Sequence, residues 1–138
     1  MASLVYDHII QHMMNGEVNF GSDTFKVLLV TSSYTPNKGT HNARSDVTNE
    51  VTGTGYTTGG TASAATVSLD TSGHHGDVTF ADVSWPSSTI TARAAVIYKS
   101  SGTSSTDWLV AYVDNGADAS SVAATFAFSF TSTLKIQN

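Results

Sequence analysis

"ITARAAVIYKS", Ile90 to Ser100, is the stretch that decides how the chain reads. Successive side chains of a strand point to opposite faces, so Ile90, Ala92, Ala94, Val96 and Tyr98 fall on one side and Thr91, Arg93, Ala95, Ile97 and Lys99 on the other. The next segment, "DWLVAYVD" (Asp107–Asp114), sets Trp108, Val110 and Tyr112 against Leu109, Ala111 and Val113. "NGAD" is then expected to turn the chain. "VAATFAFSF" (Val122–Phe130) puts Val122, Ala124, Phe126, Phe128 and Phe130 on one face, and "TLKI" finishes the chain. Upstream, "VTFADVSW" (Val78–Trp85) alternates until Trp85-Pro86 breaks it, and "TSGHHGD" (Thr71–Asp77) is a turn. A further strand is expected near Ala62–Leu69. "TFKVLLVTSS" (Thr24–Ser33) carries apolar residues on both sides and predicts a central, doubly covered strand. Several short strands at intervals of about ten residues point to an antiparallel sandwich or barrel.

Two segments stand outside that pattern. "SLVYDHIIQHMMN" (Ser3–Asn15) predicts one short helix, with Ser3 as N-cap and Gly16 just past its end. Its incomplete apolar stripe includes Ile9, Met13 and Met14, and a helix so short must dock on the sheet or on a partner. Residues 1–16 thus form a helical N-terminal segment. The second segment is a surface loop over 34–62, rich in turn residues and continuing into "GTGYTTGGTASA" (Gly53–Ala64). No internal repeat or linker divides the 138 residues, so a single domain is expected over 1–138.

Composition narrows function. Charged residues are 12% of the chain, about half the usual share. Six Lys and Arg against 11 Asp and Glu cannot build the basic face that phosphate backbones require, so no direct nucleic-acid binding is expected. Cysteine is absent, which removes disulfides and thiolate chemistry. No leader-type segment is seen, and the apolar runs are far shorter than the ~20 residues that cross a bilayer, so no membrane partner is expected.

The motifs that carry chemistry elsewhere are incomplete here. Gly53, Gly55 and Gly59 miss the dinucleotide fingerprint by one residue, and no Lys-Ser or Lys-Thr follows, so no cofactor is expected. His8 and His12 are four apart, but Ile9 stands where a metalloprotease has Glu. His74 and His75 point opposite ways in extended chain. No metal site is therefore assigned. There is no G-x-S-x-G elbow, and Glu17 and Glu50 are the only glutamates; Asp82 and Asp107 remain open as a pair. No catalytic residue is assigned, and the chain is not expected to be an enzyme. A carbohydrate-binding module would need exposed aromatics, for which Trp85, Trp108, Tyr34 and Tyr56 are the candidates.

"SDTFKVLLVTSSYTPN", "DVTNEVTGTGYTTGGT", "TITARAAVIYKSSG" and "LVAYVDNG" together resemble a group of small virion proteins of tailed bacteriophages, of the capsid cement or head decoration type. The resemblance covers nearly the whole chain, least securely the N-terminal helix and the last dozen residues. It implies a jelly-roll-like β-sandwich. It also implies copies on the outer surface of the phage head, bridging major capsid protein subunits and holding the shell against its packed DNA. It brings no catalytic residue. A tail or fibre position is the alternative. The expected partners are the major capsid protein and other copies of the chain, as a dimer or trimer. Candidate contact residues are Ile9, Met13 and Met14 on the helix and Tyr34 and Tyr56 in the loop, since Tyr is a frequent interface anchor. An exposed edge strand is a third candidate contact.

Overall fold

The computed structural model describes residues 2–130 and 134–137. It is mostly β, with antiparallel sheets and one short helix. The strands are β1 (Leu4–Val5), β2 (Phe25–Val30), β3 (Thr61–Ala62), β4 (Ala65–Asp70), β5 (His75–Phe80), β6 (Val83–Lys99), β7 (Leu109–Phe128) and β8 (Leu134–Gln137); helix α1 covers His8–Met14. One sheet has the order β1-β7-β6-β2-β3 and the other β4-β5-β8. The chain passes between them at Ser63. Its N–H donates to the Phe25 carbonyl of the first sheet, and its hydroxyl donates to Ala81 beside the second.

As its apolar run predicts, β2 is covered on both faces. Phe25, Val27 and Leu29 enter a core shared with Val78 and Phe80 of β5. Leu28 and Val30 enter a second cluster on the opposite face, with Tyr6, Tyr34, Val96, Tyr98 and Tyr112. Phe25 and Phe80 meet edge-on at 5.7 Å, tying the two sheets together.

The alternation in β6 is real but changes phase. Ile90 and Ala92 face the first core, while Ala94, Val96 and Tyr98 face the second. The shift lies between Ala92, opposite Ala119, and Ala94, opposite Asp114. "NGAD" causes it. Asn115–Asp118 do not reverse the chain; β7 runs through them as a bulge, with Gly116 at φ 84°. A bulge adds residues to one strand only and re-aims the side chains beyond it. Another irregularity between Ile97 and Tyr98 puts Leu109 and Tyr112 on one face and Val110, Ala111 and Val113 on the other. Toward the far end Phe126 and Phe128 are buried, but Val122 is 77% exposed. Ala123, at φ 46°, breaks the expected phase there. Trp85-Pro86 likewise bends β6 without ending it, with Ser87 at φ 51°. The histidine turn is shorter than expected, since His75–Asp77 already belong to β5.

The N-terminal segment differs most from expectation. Leu4 and Val5 form a strand on Tyr112 and Ala111, and the helix starts only at His8. Ser3 caps no helix; its hydroxyl accepts the Asp114 N–H at 2.8 Å. Among the described residues no helix is long and apolar enough to cross a membrane.

Candidate interaction surface

The sequence-predicted contact residues divide sharply. Ile9 is fully buried in the first core, and Met13 packs half-buried against it. Tyr34 is buried as well; its hydroxyl bonds the Tyr6 hydroxyl at 2.9 Å and His41 Nδ1 at 2.9 Å. Burial raises the pKa of both tyrosines, so they remain neutral donors and acceptors within the fold. Tyr56 is half-buried: its oxygen accepts the Leu29 N–H at 3.0 Å and its hydroxyl donates to Glu50 Oε1 at 2.7 Å. In the folded chain, then, Ile9 and Tyr34 do not present a surface to a partner. Met14 is exposed, at 82%.

The glycine-rich stretch is anchored by the same contacts. Glu50 Oε1 also accepts the Gly59 N–H at 2.6 Å, and the Tyr98 hydroxyl donates to the Gly59 carbonyl. Gly60 lies so close to β2 that an added Cβ would sit 1.7 Å from the Val27 carbonyl oxygen. At Gly53 it would sit 2.5 Å from the Thr89 oxygen. At Gly53 and Gly60 the backbone packs directly onto β6 and β2, where a side chain has no room, while Thr54, Thr57 and Thr58 between them are exposed.

Most of the histidines and carboxylates singled out in the sequence are likewise engaged within the chain. His12 is buried, stacks on Trp108 at 4.1 Å, and holds Glu17 through Nδ1 and Asn42 Oδ1 through Nε2 at 2.7 Å. His8 contacts the Gly39 carbonyl. His75 turns back to Asp77 at 3.0 Å, while His74 points to solvent at the turn. Asp82 accepts the Phe130 N–H. Asp107 is buried; burial alone would raise its pKa, but the Ser101 N–H, Arg44 and the Ser101 hydroxyl outweigh that and hold it down. Among the described residues no cluster of three or more His, Asp or Glu is arranged to hold a metal. A sugar platform also lacks its aromatics: Trp85 and Tyr34 are buried, and Trp108 is covered on one face by His12.

One flank has the opposite character. Ile10 and Met14 on the outer side of α1 stand 57% and 82% exposed, and Ile136 of β8 stands 52% exposed. Between them runs a groove of about 650 Å³ floored by Val5, Ile9, Met13 and Leu134. Lys38 and Lys135 stand at its rim, with Asp7 3.9 Å from Lys38. The apolar strip continues across the three-stranded sheet, where Leu69, Gly76 and Ile136 are direct cross-strand neighbours. Leu69 is 76% exposed and Val67 57%. They share a face with Val78 of the neighbouring strand, which is buried in the first core. Single exposed apolar residues are ordinary, whereas a contiguous strip of them marks an interaction site. Sequence reasoning found Met14 and missed Ile10, Val67, Leu69 and Ile136. Their only signal is alternation with polar residues, which reads the same whether or not the inner face is covered.

No family model, curated protein or solved structure matches the chain.

Proposed function

We propose that the chain is a structural virion protein that binds the outer surface of a tailed-phage head and cements neighbouring major capsid protein subunits. The observation that carries this reading is the apolar flank: Ile10, Met14, Leu69 and Ile136 exposed together on a weakly charged chain whose buried side-chain polar atoms, among the described residues, all have hydrogen-bond partners. The sequence resemblance supplies the partner. A surface of this kind joins others by shape and burial, and a protein that engages two subunits at once gains effective concentration without new kinds of contact. To stabilise the mature shell it must bind that lattice better than the alternatives, since only differential affinity moves a conformational equilibrium.

A jelly-roll-like sandwich is part of the proposal. Two antiparallel sheets, with eight strands among the described residues, around a shared core support it. The hairpins β4–β5 and β6–β7, which each stay within one sheet, make it a loose version of that plan. The test is to heat purified heads with and without the protein and follow DNA release. Heads lacking it should release DNA at a lower temperature; identical release curves would remove the cementing role.

A further inference from the structure

Strand β4 is an unguarded edge. Its six residues, "ATVSLD", pair with β5 in unbroken register from Ala65–Phe80 to Asp70–His75. Proteins normally protect such an edge with a lysine, a proline, a bulge or extreme shortness. The five-stranded sheet does so, since its edges β1 and β3 are two residues each. The other edge of the small sheet, β8, carries Lys135. Strand β4 has no lysine, proline or bulge and is six residues long; its one charge, Asp70, stands at its end, and every residue from Thr66 to Asp70 is exposed.

Its hydrogen-bonding direction is set by the ladder. The Ala81 N–H donates to the Ala64 carbonyl at 3.0 Å, so Thr66, Ser68 and Asp70 turn their backbone groups toward β5. Ala65, Val67 and Leu69 therefore turn theirs outward. These are also the residues on the apolar face.

We propose that β4 pairs antiparallel with β4 of a second copy across a two-fold axis at Val67, joining two three-stranded sheets into one of six strands. This register sets Val67 opposite Val67 of the second copy and Leu69 opposite Ala65. It satisfies all three outward-facing residues with roughly six main-chain hydrogen bonds, two for each hydrogen-bonded pair. On the other face Thr66 meets Ser68. The one charge, Asp70, meets uncharged Ala64, and the two Asp70 residues sit at opposite ends of the ribbon, about 20 Å apart and beyond the Debye length. Moving the axis to Ser68 or Thr66 leaves one outward-facing residue of each copy unpaired. A second copy satisfies this edge because the strand is complementary to itself; the pairing stands independently of attachment to any head.

A six-residue edge is smaller than the roughly 800 Å² per partner of a standard interface, so the dimer should dissociate on dilution. Sedimentation equilibrium should show mass rising from 14.4 kDa toward twice that value as concentration approaches millimolar. Val67→Lys and Leu69→Lys, at exposed positions, should stay monomeric with unchanged circular dichroism. Register is tested by cysteines in a chain that has none. Thr66→Cys/Ser68→Cys should give a disulfide-linked dimer on mild oxidation, because these residues form a non-hydrogen-bonded pair with close Cβ atoms. Ser68→Cys alone should not. A monomer at every concentration with no cross-link in the double variant overturns the proposal. Cross-linking by Ser68→Cys alone overturns the register.

Discussion

Replacing Gly60 by alanine tests whether the glycine-rich segment is a fixed part of the fold. Gly60 has φ +76°, and its added Cβ would lie 1.7 Å from the Val27 oxygen, 2.5 Å from the Val27 carbonyl carbon and 2.8 Å from Leu28 Cα, where real Cβ contacts essentially never fall below 3.0 Å. The obstacle is backbone of β2, hydrogen-bonded on both sides and buried from Val27 to Val30. It cannot swing aside as a side chain can. A left-handed conformation costs a non-glycine residue about 1–2 kcal/mol. Forcing strand and loop apart in a packed core adds about 1–3 kcal/mol or more. The sum, about 4 kcal/mol, is a large part of the roughly 5–15 kcal/mol that holds a domain folded. Gly102→Ala is the control: its φ is +91°, but nothing lies within 4 Å of the added Cβ, so only the conformational cost of about 1–2 kcal/mol applies. Urea unfolding at 25 °C should place the Gly60→Ala midpoint about 2 M below wild type, with Gly102→Ala less than about 1 M below. Equal midpoints for the two variants would refute the steric argument.

Ile10→Lys with Met14→Lys should leave the unfolding free energy from urea titration within about 0.5 kcal/mol of wild type, since both side chains are exposed, yet lower occupancy on purified heads measured by gel densitometry. Unchanged occupancy would count against the apolar flank. Tyr34→Ala should destabilise the isolated protein by about 3 kcal/mol or more, because it empties a buried site and removes a partner from Tyr6; an unaltered midpoint would contradict the packing described. The Arg93 hydrogen bonds depress the pKa of Asp114 to about 2 from 3.8. A carboxylate with a depressed folded pKa stabilises above its unfolded value and loses that contribution as pH falls toward 2. Asp114→Asn should therefore flatten stability between about pH 4 and pH 2, and an unchanged acid slope would show that the pair contributes nothing there.

The fold class was legible because alternation and turn chemistry are local. Ile90–Ser100 reads as a strand from its own residues, and β2 reads as doubly covered from its unbroken apolar run. The faces were less legible. A single bulge inverts every later assignment, and whether "NGAD" reverses a chain or swells within one strand depends on whether the flanking residues keep the same neighbour. Here both sides of it pair with β6. The N-terminal strand was hidden for a related reason. Leu4-Val5 fits a helical stripe, and only the edge of β7, more than a hundred residues away, makes it extended. Of the candidate surface, Met14 could be read from the sequence. Tyr34 could not be told from an interface tyrosine, because burial against Tyr6 is a tertiary fact. Val67 and Leu69 look like any half-buried strand, and only the folded chain shows both exposed while Val78 opposite Val67 is buried.

Electron microscopy of the assembled particle, with and without the gene for this chain, tests the central claim most directly. The account predicts density of this two-sheet shape on the outside of the head, bridging adjacent shell subunits through the α1–β8 flank and missing from particles that lack the gene. Heads with no such density, or density confined to the tail, would contradict it.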